Sequence, residues 1–194
     1  MNTRSFIIAS ILLVGLSALA VAAWISADTS PDIDEMPRSV VNNVSANGGA
    51  APELTGGKWI NSKPLTLAEL KGRVVYLEFW TFGCSNCINT LPTVKRFDAT
   101  YRDKGLTVIG IETPEFDYEK DFNNLSAAVK KRGIEYPVLT DNESKNWEAY
   151  RVNAWPTIVI IDKQGVERYR HIGEGAYAEQ ERVIKELLDE EVTN

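Results

Sequence analysis

Two cysteines, Cys84 and Cys87, are the only thiols among 194 residues, and they stand three positions apart in the stretch WTFGCSNCINTLP. A thiol pair at this spacing can bind a metal ion, form a structural disulfide, or exchange electrons with another disulfide. The pair directly follows the apolar run RVVYLEFW and precedes a stretch in which apolar residues recur at helical spacing. The sequence therefore places both thiols between a buried strand and the start of a helix.

The start of a helix favours the thiolate form of a cysteine. Its first turn has unpaired N–H groups and a partial positive charge, and cysteines of Cys-X-X-Cys motifs there have pKa values of roughly 3.5–7.5. The amino-terminal cysteine of such a turn is normally the exposed one. We therefore expect Cys84 to attack a substrate disulfide. Cys87, one turn deeper, then resolves the mixed disulfide by attacking the Cys84 sulfur.

A metal site and a purely structural disulfide fit the rest of the sequence less well than redox exchange. A structural zinc site needs four ligands, and the chain adds only one histidine, His171, to the two cysteines. A copper site built from both thiols and His171 is an alternative. A purely structural Cys84–Cys87 disulfide would close a very small loop and stabilise little. Redox exchange through a Cys84–Cys87 disulfide, without a cofactor or a resident metal, is the favoured interpretation.

Two other residues are unusual for their places. Glu78 is a carboxylate within the apolar run, where it either points to an edge and pairs with a lysine or, buried, accepts a proton from Cys87. Pro156 directly precedes the apolar run TIVIID. A cis bond there would expose the backbone of Trp155 as a short edge for an extended peptide, but a trans proline at a strand start fits the sequence equally well.

The elements that must position these residues alternate between strands and helices. LTVIGIE is a second buried strand, and helical spacing returns over residues 118–129. TIVIID and VERYRHIG flank the turn KQG and predict an antiparallel hairpin, followed by a last helix from about Glu179. ELTGGKWINSKPLTLAELKG predicts a short N-terminal hairpin. This order predicts an α/β fold with a mixed central sheet and helices on both faces.

Composition divides the chain into three segments. Residues 1–27 include a run without charges from residue 5 to residue 27, long enough to span a membrane, with Arg4 before it and acidic residues after it. We expect a membrane anchor with the remainder exported, although sites such as Ala18-Leu19-Ala20 would also permit signal cleavage. Residues 28–52 predict a flexible linker, and residues 53–194 a folded domain. A net charge of −6 argues against a nucleic-acid partner.

The stretch EFWTFGCSNC, together with Pro92 and the later AWPT, resembles the active site of the thioredoxin fold. The shared features are an acid six positions before the first cysteine, a Phe-Trp pair, and a proline eight positions after that cysteine. The chain is most similar to TlpA-like membrane-anchored redoxins, and among them to the C-terminal redoxin domain of DipZ-like cytochrome c biogenesis proteins. KWINSKPLTLAELKGRVVYLEFWTFGCSNC, VIGIETPEF and GEGAY carry this similarity, which covers about residues 52–188.

The resemblance implies a thioredoxin-like fold with a strand–helix insertion at about residues 114–146 and a cis Pro156 near the cysteines. It implies an extracytoplasmic thiol–disulfide oxidoreductase that reduces protein disulfides, as in cytochrome c maturation. Glu78 is then the auxiliary proton acceptor, and Trp155 and Pro156 dock the substrate. A membrane electron donor of the thiol-reducing transporter type would restore the dithiol, and we expect a monomer. Ser85 and Asn86 stand where cytosolic thioredoxins have Gly-Pro. The redox potential of those thioredoxins therefore cannot be assigned to this protein.

Two alternative functions are kept beside this one. Thr81 and Cys84 form the T-x-x-C of peroxiredoxins, which would make the protein a thiol-dependent peroxide reductase. The proline expected four residues before the threonine is Leu77 here, which weakens that interpretation. The other alternative is a redox-inert or copper-binding adaptor that docks peptides along Trp155 and Pro156.

Overall fold

A computed structural model of the protein describes residues 49–191. The predicted membrane anchor of residues 1–27 lies outside this range, as does the predicted linker up to residue 48. Within the described range, no helix is both long and apolar enough to cross a membrane. The division of the chain into anchor, linker and folded domain therefore stays a prediction.

A six-stranded mixed sheet lies at the centre of the described residues. Its strands are β1 Trp59–Ile60, β2 Val74–Trp80, β3 Leu106–Glu112, β4 Val138–Thr140, β5 Thr157–Ile161 and β6 Glu167–Ile172. They lie in the order β1-β4-β3-β2-β5-β6. β3 runs parallel to both β2 and β4, whereas β5 is antiparallel to both β2 and β6. The hairpin predicted for TIVIID and VERYRHIG is confirmed as β5 and β6.

Helices lie on both faces of this sheet, as the sequence predicts. They are α1 Ser85–Tyr101, α2 Phe122–Arg132, α3 Lys145–Ala149 and α4 Tyr177–Asp189. Buried side chains of α1, α2 and α4 join one hydrophobic cluster, whereas α3 and the segment before β2 pack in a second cluster on the opposite face. Successive residues of β2, such as Tyr76 and Leu77, contribute to the two clusters in turn because side chains alternate along a strand. β2 is therefore buried on both faces.

The predicted insertion is present between β3 and β5, with its helix, α2, before its strand, β4. The carboxylate of Asp121 accepts the backbone N–H of Asn123 and of Asn124 and so caps the start of α2. Gly133 ends the helix in the left-handed conformation, with φ of 59°. β4 then extends the sheet on the outer side of β3.

The predicted N-terminal hairpin is wrong for the described part of the chain. β1 has only two residues and pairs with β4, which is distant in sequence. The Lys58 backbone N–H donates to Thr140 Oγ1 at 2.8 Å, and the Asn61 side chain donates to the Ile134 carbonyl at 2.9 Å. Asn61 has a positive φ of 65°, which ends the strand. A short extended segment has the same local pattern whether its partner is near or far, so the sequence alone does not separate the two pairings.

Candidate active site

The two cysteines form a disulfide at the start of α1, directly after β2 and a three-residue loop. Cys84 is the N-cap residue of the helix, and its sulfur accepts the Cys87 backbone N–H at 3.2 Å. Cys84 is half-buried, whereas Cys87 is fully buried in the hydrophobic cluster beneath α1. The predicted difference in exposure between the two thiols is therefore present. The helix start also supplies the N–H donors that stabilise a thiolate on Cys84.

Glu78 is fully buried in the middle of β2 and takes part in no ion pair within residues 49–191. Its carboxyl group contacts two hydroxyls: Thr90 Oγ1 lies 2.6 Å from Oε1, and Tyr136 OH lies 3.3 Å from Oε2. Burial raises the pKa of Glu78 from 4.5 to about 7, although both hydroxyl contacts act to lower it. The structure therefore excludes the exposed, lysine-paired placement. It leaves a carboxyl group that can gain or lose a proton near neutral pH.

Thr90 connects this acid to the cysteine pair. It lies three residues after Cys87 on α1, and its Oγ1 is 2.7 Å from the Cys87 carbonyl oxygen. When Glu78 is ionised, the hydroxyl can donate to the carboxylate. When Glu78 is protonated, the same hydroxyl can accept from the carboxyl group and donate to the carbonyl. The contact therefore accommodates both protonation states of the acid.

The Trp155–Pro156 peptide bond is cis, as the resemblance implies. Trp155 is half-buried, and it packs against the same hydrophobic cluster as Cys84. Its ring lies 4.4 Å from that of Trp147, and its Nε1 donates to the Thr113 carbonyl at 3.1 Å. These contacts fix the indole in one position.

A second buried acid, Glu112, lies at the end of β3 and is paired in register with Trp80 of β2. Thr81 Oγ1 donates to its Oε1 across 3.4 Å, and its Oε2 has no hydrogen-bond partner in the described structure. Burial first, and then the nearby charge of Glu119, raise the pKa of Glu112 to about 8. A smaller repulsion from Asp141 acts in the same direction. At neutral pH this group is therefore protonated beneath the active-site loop.

His171, the possible third copper ligand, lies on β6 with its Nε2 3.5 Å from the Glu174 carbonyl oxygen. Across residues 49–191, no three His, Cys, Asp or Glu side chains are grouped so that they could hold a metal ion. The structure thus connects Glu78 to the cysteine pair through Thr90 but does not add His171 to them as a metal ligand.

Sequence reasoning did not identify Thr90, Tyr136 or Glu112. Thr90 had a usable signal, because a residue three positions after Cys87 shares its face of the helix. Glu112 ends the apolar run LTVIGIE, where a charge is easily taken for the first residue of a loop. Tyr136 comes from the loop before β4, 58 residues from Glu78, and no local pattern marks it.

A half-buried cysteine at a helix start, its buried partner, an acid in the preceding strand and a cis proline directly before a neighbouring strand define a class of protein. They are the features of a thioredoxin-fold thiol–disulfide oxidoreductase. The comparisons with known proteins agree with this class. The chain belongs to the Redoxin family, whose model matches residues 46–188.

Two curated relatives and one solved structure show the extent of the similarity. Protein DipZ of Mycobacterium bovis is 38% identical over 146 residues, which are 73% of this chain but 21% of DipZ, so the chain spans about a fifth of that relative. Thiol-disulfide oxidoreductase ResA of Bacillus thuringiensis is 30% identical over 129 residues, 66% of this chain and 71% of ResA. The crystal structure of a thioredoxin-like superfamily protein matches with a TM-score of 0.70 and 28% identity, covering 74% of this chain and 99% of that one. The predicted fold and enzyme class are confirmed.

Proposed function

We propose that this protein reduces disulfide bonds of exported proteins on the outer side of the cytoplasmic membrane, with cytochrome c maturation as the process it serves. The observation that carries the proposal is the arrangement of Cys84, half-buried at the helix N-cap, in front of a fully buried Cys87. Only Cys84 can meet the sulfur of a large substrate. Cys87 can react only with Cys84 or with a mixed disulfide formed there.

The catalytic cycle starts from the reduced protein. The Cys84 thiolate attacks one sulfur of the substrate disulfide, a mixed disulfide forms, and the other substrate sulfur leaves as a thiolate. Cys87 passes its proton to Glu78 and attacks the Cys84 sulfur. The second substrate thiolate leaves, and the Cys84–Cys87 disulfide remains. Two electrons have moved to the substrate, whose thiolates take up two protons from solvent, while Glu78 returns its proton to solvent.

Burial makes Glu78 a suitable proton acceptor for this step. An ordinary glutamate, with a pKa near 4.5, would take a proton from a thiol only weakly, whereas a pKa of about 7 lies near the working pH. Trp155 and Pro156 form the docking edge beside the disulfide, in keeping with the cis bond and the fixed indole.

Location and partners complete the proposal. The run without charges from residue 5 to residue 27 anchors the protein, residues 28–52 act as its tether, and residues 53–194 face away from the cytoplasm. A membrane electron donor of the thiol-reducing transporter type reduces the Cys84–Cys87 disulfide after each turnover. The protein works as a monomer. Thr81 gives the peroxide-reductase alternative no support, because its hydroxyl contacts Glu112.

Trapping in the native membrane tests the exchange reaction. Replacing Cys87 by Ala removes the resolving thiol, so the substrate should stay attached to Cys84 as a mixed disulfide that mass spectrometry can identify. The matched control carries Ala at both positions and should retain no partner. If Cys87→Ala accumulates no covalent partner under native expression, disulfide exchange is not its function.

The redox potential tests the direction of electron flow. A value near −270 mV, as in thioredoxin, supports a reductase, and a value near −120 mV, as in a strong oxidase, would overturn that assignment. Cys84→Ser separates both from a redox-inert adaptor that only docks peptides. An adaptor keeps its function in this variant, whereas an exchanger loses turnover.

A further inference from the structure

An exposed group of aromatic side chains lies beside Cys84. Among the described residues, three large hydrophobic side chains are exposed: Phe116 at 51%, Tyr118 at 52% and Ile172 at 51%. The Phe116 and Tyr118 rings are stacked, with centroids 5.9 Å apart and an angle of 8° between planes. Tyr118 also meets Phe82 edge-on at 5.8 Å. Phe82 lies two residues before Cys84, and we call Phe82, Phe116 and Tyr118 the aromatic ledge.

Hydrogen bonds to one buried carboxylate fix the ledge to the active-site loop. Glu119 Oε1 accepts the Gly83 N–H at 2.9 Å, while its Oε2 accepts the N–H groups of Glu115 and Phe116 at 2.7 and 2.9 Å. A Cβ at Gly83 would lie 2.6 Å from Tyr118 OH, so the tyrosine sits directly against the residue that precedes Cys84. The aromatic ledge is therefore held in a fixed position relative to Cys84.

An exposed aromatic surface of this kind is typical of a site that contacts another molecule. Burying the two stacked rings in the core would be favourable, yet both remain about half exposed. Aromatic side chains that are rigid and exposed are typical of the centre of protein interfaces. Phe82, Cys84 and Trp155 all pack against the same hydrophobic cluster.

Acidic and basic side chains both lie around the ledge. Glu115 and Asp117 are exposed next to the two stacked rings, and Glu119 lies beneath them. Asp117 pairs with Lys120 at 2.7 Å, and Arg132 donates to the Phe82 carbonyl at 2.8 Å. Glu115 takes part in no ion pair within residues 49–191. A free carboxylate beside an apolar surface complements a partner that carries a positive charge next to an apolar side chain.

We propose that the aromatic ledge and Glu115 form a docking site for a basic segment of the substrate protein that flanks its disulfide. The segment places an aliphatic or aromatic side chain on Phe116 and Tyr118 and a Lys or Arg beside Glu115. This inference rests on the proposed function, because it names the kind of protein whose disulfide the Cys84–Cys87 dithiol reduces.

Steady-state reduction of two synthetic peptides tests the site. Both contain one disulfide and a phenylalanine near it, and they differ only in carrying two lysines or two glutamates beside the disulfide. Hydroxyethyl disulfide, which is too small to reach the ledge, reports the reactivity of Cys84 alone. The test variants are Phe116→Ala with Tyr118→Ala, and Glu115→Lys. Ile172→Ala removes an equally exposed side chain on β6 and is the matched control.

The double alanine variant should raise KM for the lysine peptide about tenfold with kcat unchanged, since a few central anchors, often aromatic, carry most of the binding energy of an interface. Glu115→Lys should reverse the preference between the two peptides. Reduction of hydroxyethyl disulfide should stay within twofold in every variant, and Ile172→Ala should match the wild type on all three substrates. Unchanged thermal unfolding shows that each variant is folded.

The negative results distinguish a failure of the proposed function from a failure of the docking site. If wild-type protein does not reduce even hydroxyethyl disulfide, the proposed function fails. If it does, but the ledge variants keep the wild-type KM for the lysine peptide, the docking site is wrong. Equal KM values of the wild type for the two peptides, or equal losses on both peptides in Glu115→Lys, would contradict the assignment of a basic partner. Binding of the wild type, but not of the ledge variant, to phosphatidylcholine vesicles with peptide KM unchanged would make the ledge a membrane contact and overturn the proposal.

Discussion

Replacing Glu78 by Gln should change how the stability of the oxidised protein depends on pH. In the folded protein the pKa of Glu78 is about 7, against 4.5 in its ordinary state, which we take for the unfolded chain. Between these values the folded protein holds a proton that the unfolded chain has released. The free energy of unfolding therefore falls as pH rises through this window. The stability that comes from the protonated Glu78 is fully present below pH 4.5 and is lost above pH 7.

The size of this effect follows from the two pKa values. They differ by about 2.5, and each pKa unit corresponds to about 1.4 kcal/mol. As pH rises, the free energy of unfolding of the wild type therefore falls by about 3 kcal/mol, a decrease that the glutamine variant does not show. Glutamine has nearly the same volume and can still contact the hydroxyls of Thr90 and Tyr136. The free energy of unfolding of Glu78→Gln minus that of the wild type should thus rise by about 3 kcal/mol from pH 4 to pH 8.

Guanidinium unfolding of the oxidised proteins, followed by tryptophan fluorescence at pH 4, 5, 6, 7 and 8, measures this difference. The second buried acid, Glu112, is present in both proteins, so its own titration cancels. Glu174→Gln removes one carboxyl group at an exposed position and is the matched control for the loss of a negative charge. A flat difference curve for Glu78→Gln would refute the conclusion that this carboxyl group is kept protonated by burial.

The same variant should slow one chemical step. Cys84 still attacks the substrate, but Cys87 loses its proton acceptor, so the mixed disulfide should persist about a hundredfold longer at pH 7. Rapid acid quenching of the reduced protein with a peptide disulfide measures its formation and decay separately. If the mixed disulfide of Glu78→Gln decays at the wild-type rate, Glu78 does not accept the proton from Cys87.

Two more variants probe the groups around these acids. Thr90→Val removes a hydroxyl that favours the ionised form of Glu78, so the midpoint of the pH dependence of Cys87 attack should move upward by about one pH unit. Rapid quenching over pH 5–9 measures it, and an unchanged midpoint would contradict the contact. Glu112→Gln should keep turnover at pH 7 within about twofold, because the group it replaces is already neutral there. The free energy of unfolding of Glu112→Gln minus that of the wild type, measured with guanidinium, should increase by about 5 kcal/mol from pH 4 to pH 9. An unchanged difference would show that burial does not raise the pKa of Glu112.

The sequence predicts the features that repeat or stand out locally. β2 and β5 appear as apolar runs, α1 as helical spacing, and Glu78 as a charge where none is expected. The partners of Glu78 and the pairing of β1 depend instead on which distant segments meet. Tyr136 and β1 both lie near β4, at the edge of the sheet, where pairing is decided by packing across many intervening residues. Local spacing carries no record of such contacts, which is why the hairpin prediction failed there.

The two buried acids have different consequences for the fold. Full ionisation of both would cost about 8 kcal/mol, the sum of about 3 for Glu78 and about 5 for Glu112. That total is comparable with the whole stability of a typical domain, about 5–15 kcal/mol. The folded protein therefore tolerates one of these charges near neutral pH more easily than both. With a pKa of about 8, Glu112 stays neutral and adds no negative charge next to the loop that carries Cys84. We propose that Glu78 is the acid that exchanges protons as the thiols react, because Thr90 connects its carboxyl group to the Cys87 carbonyl oxygen.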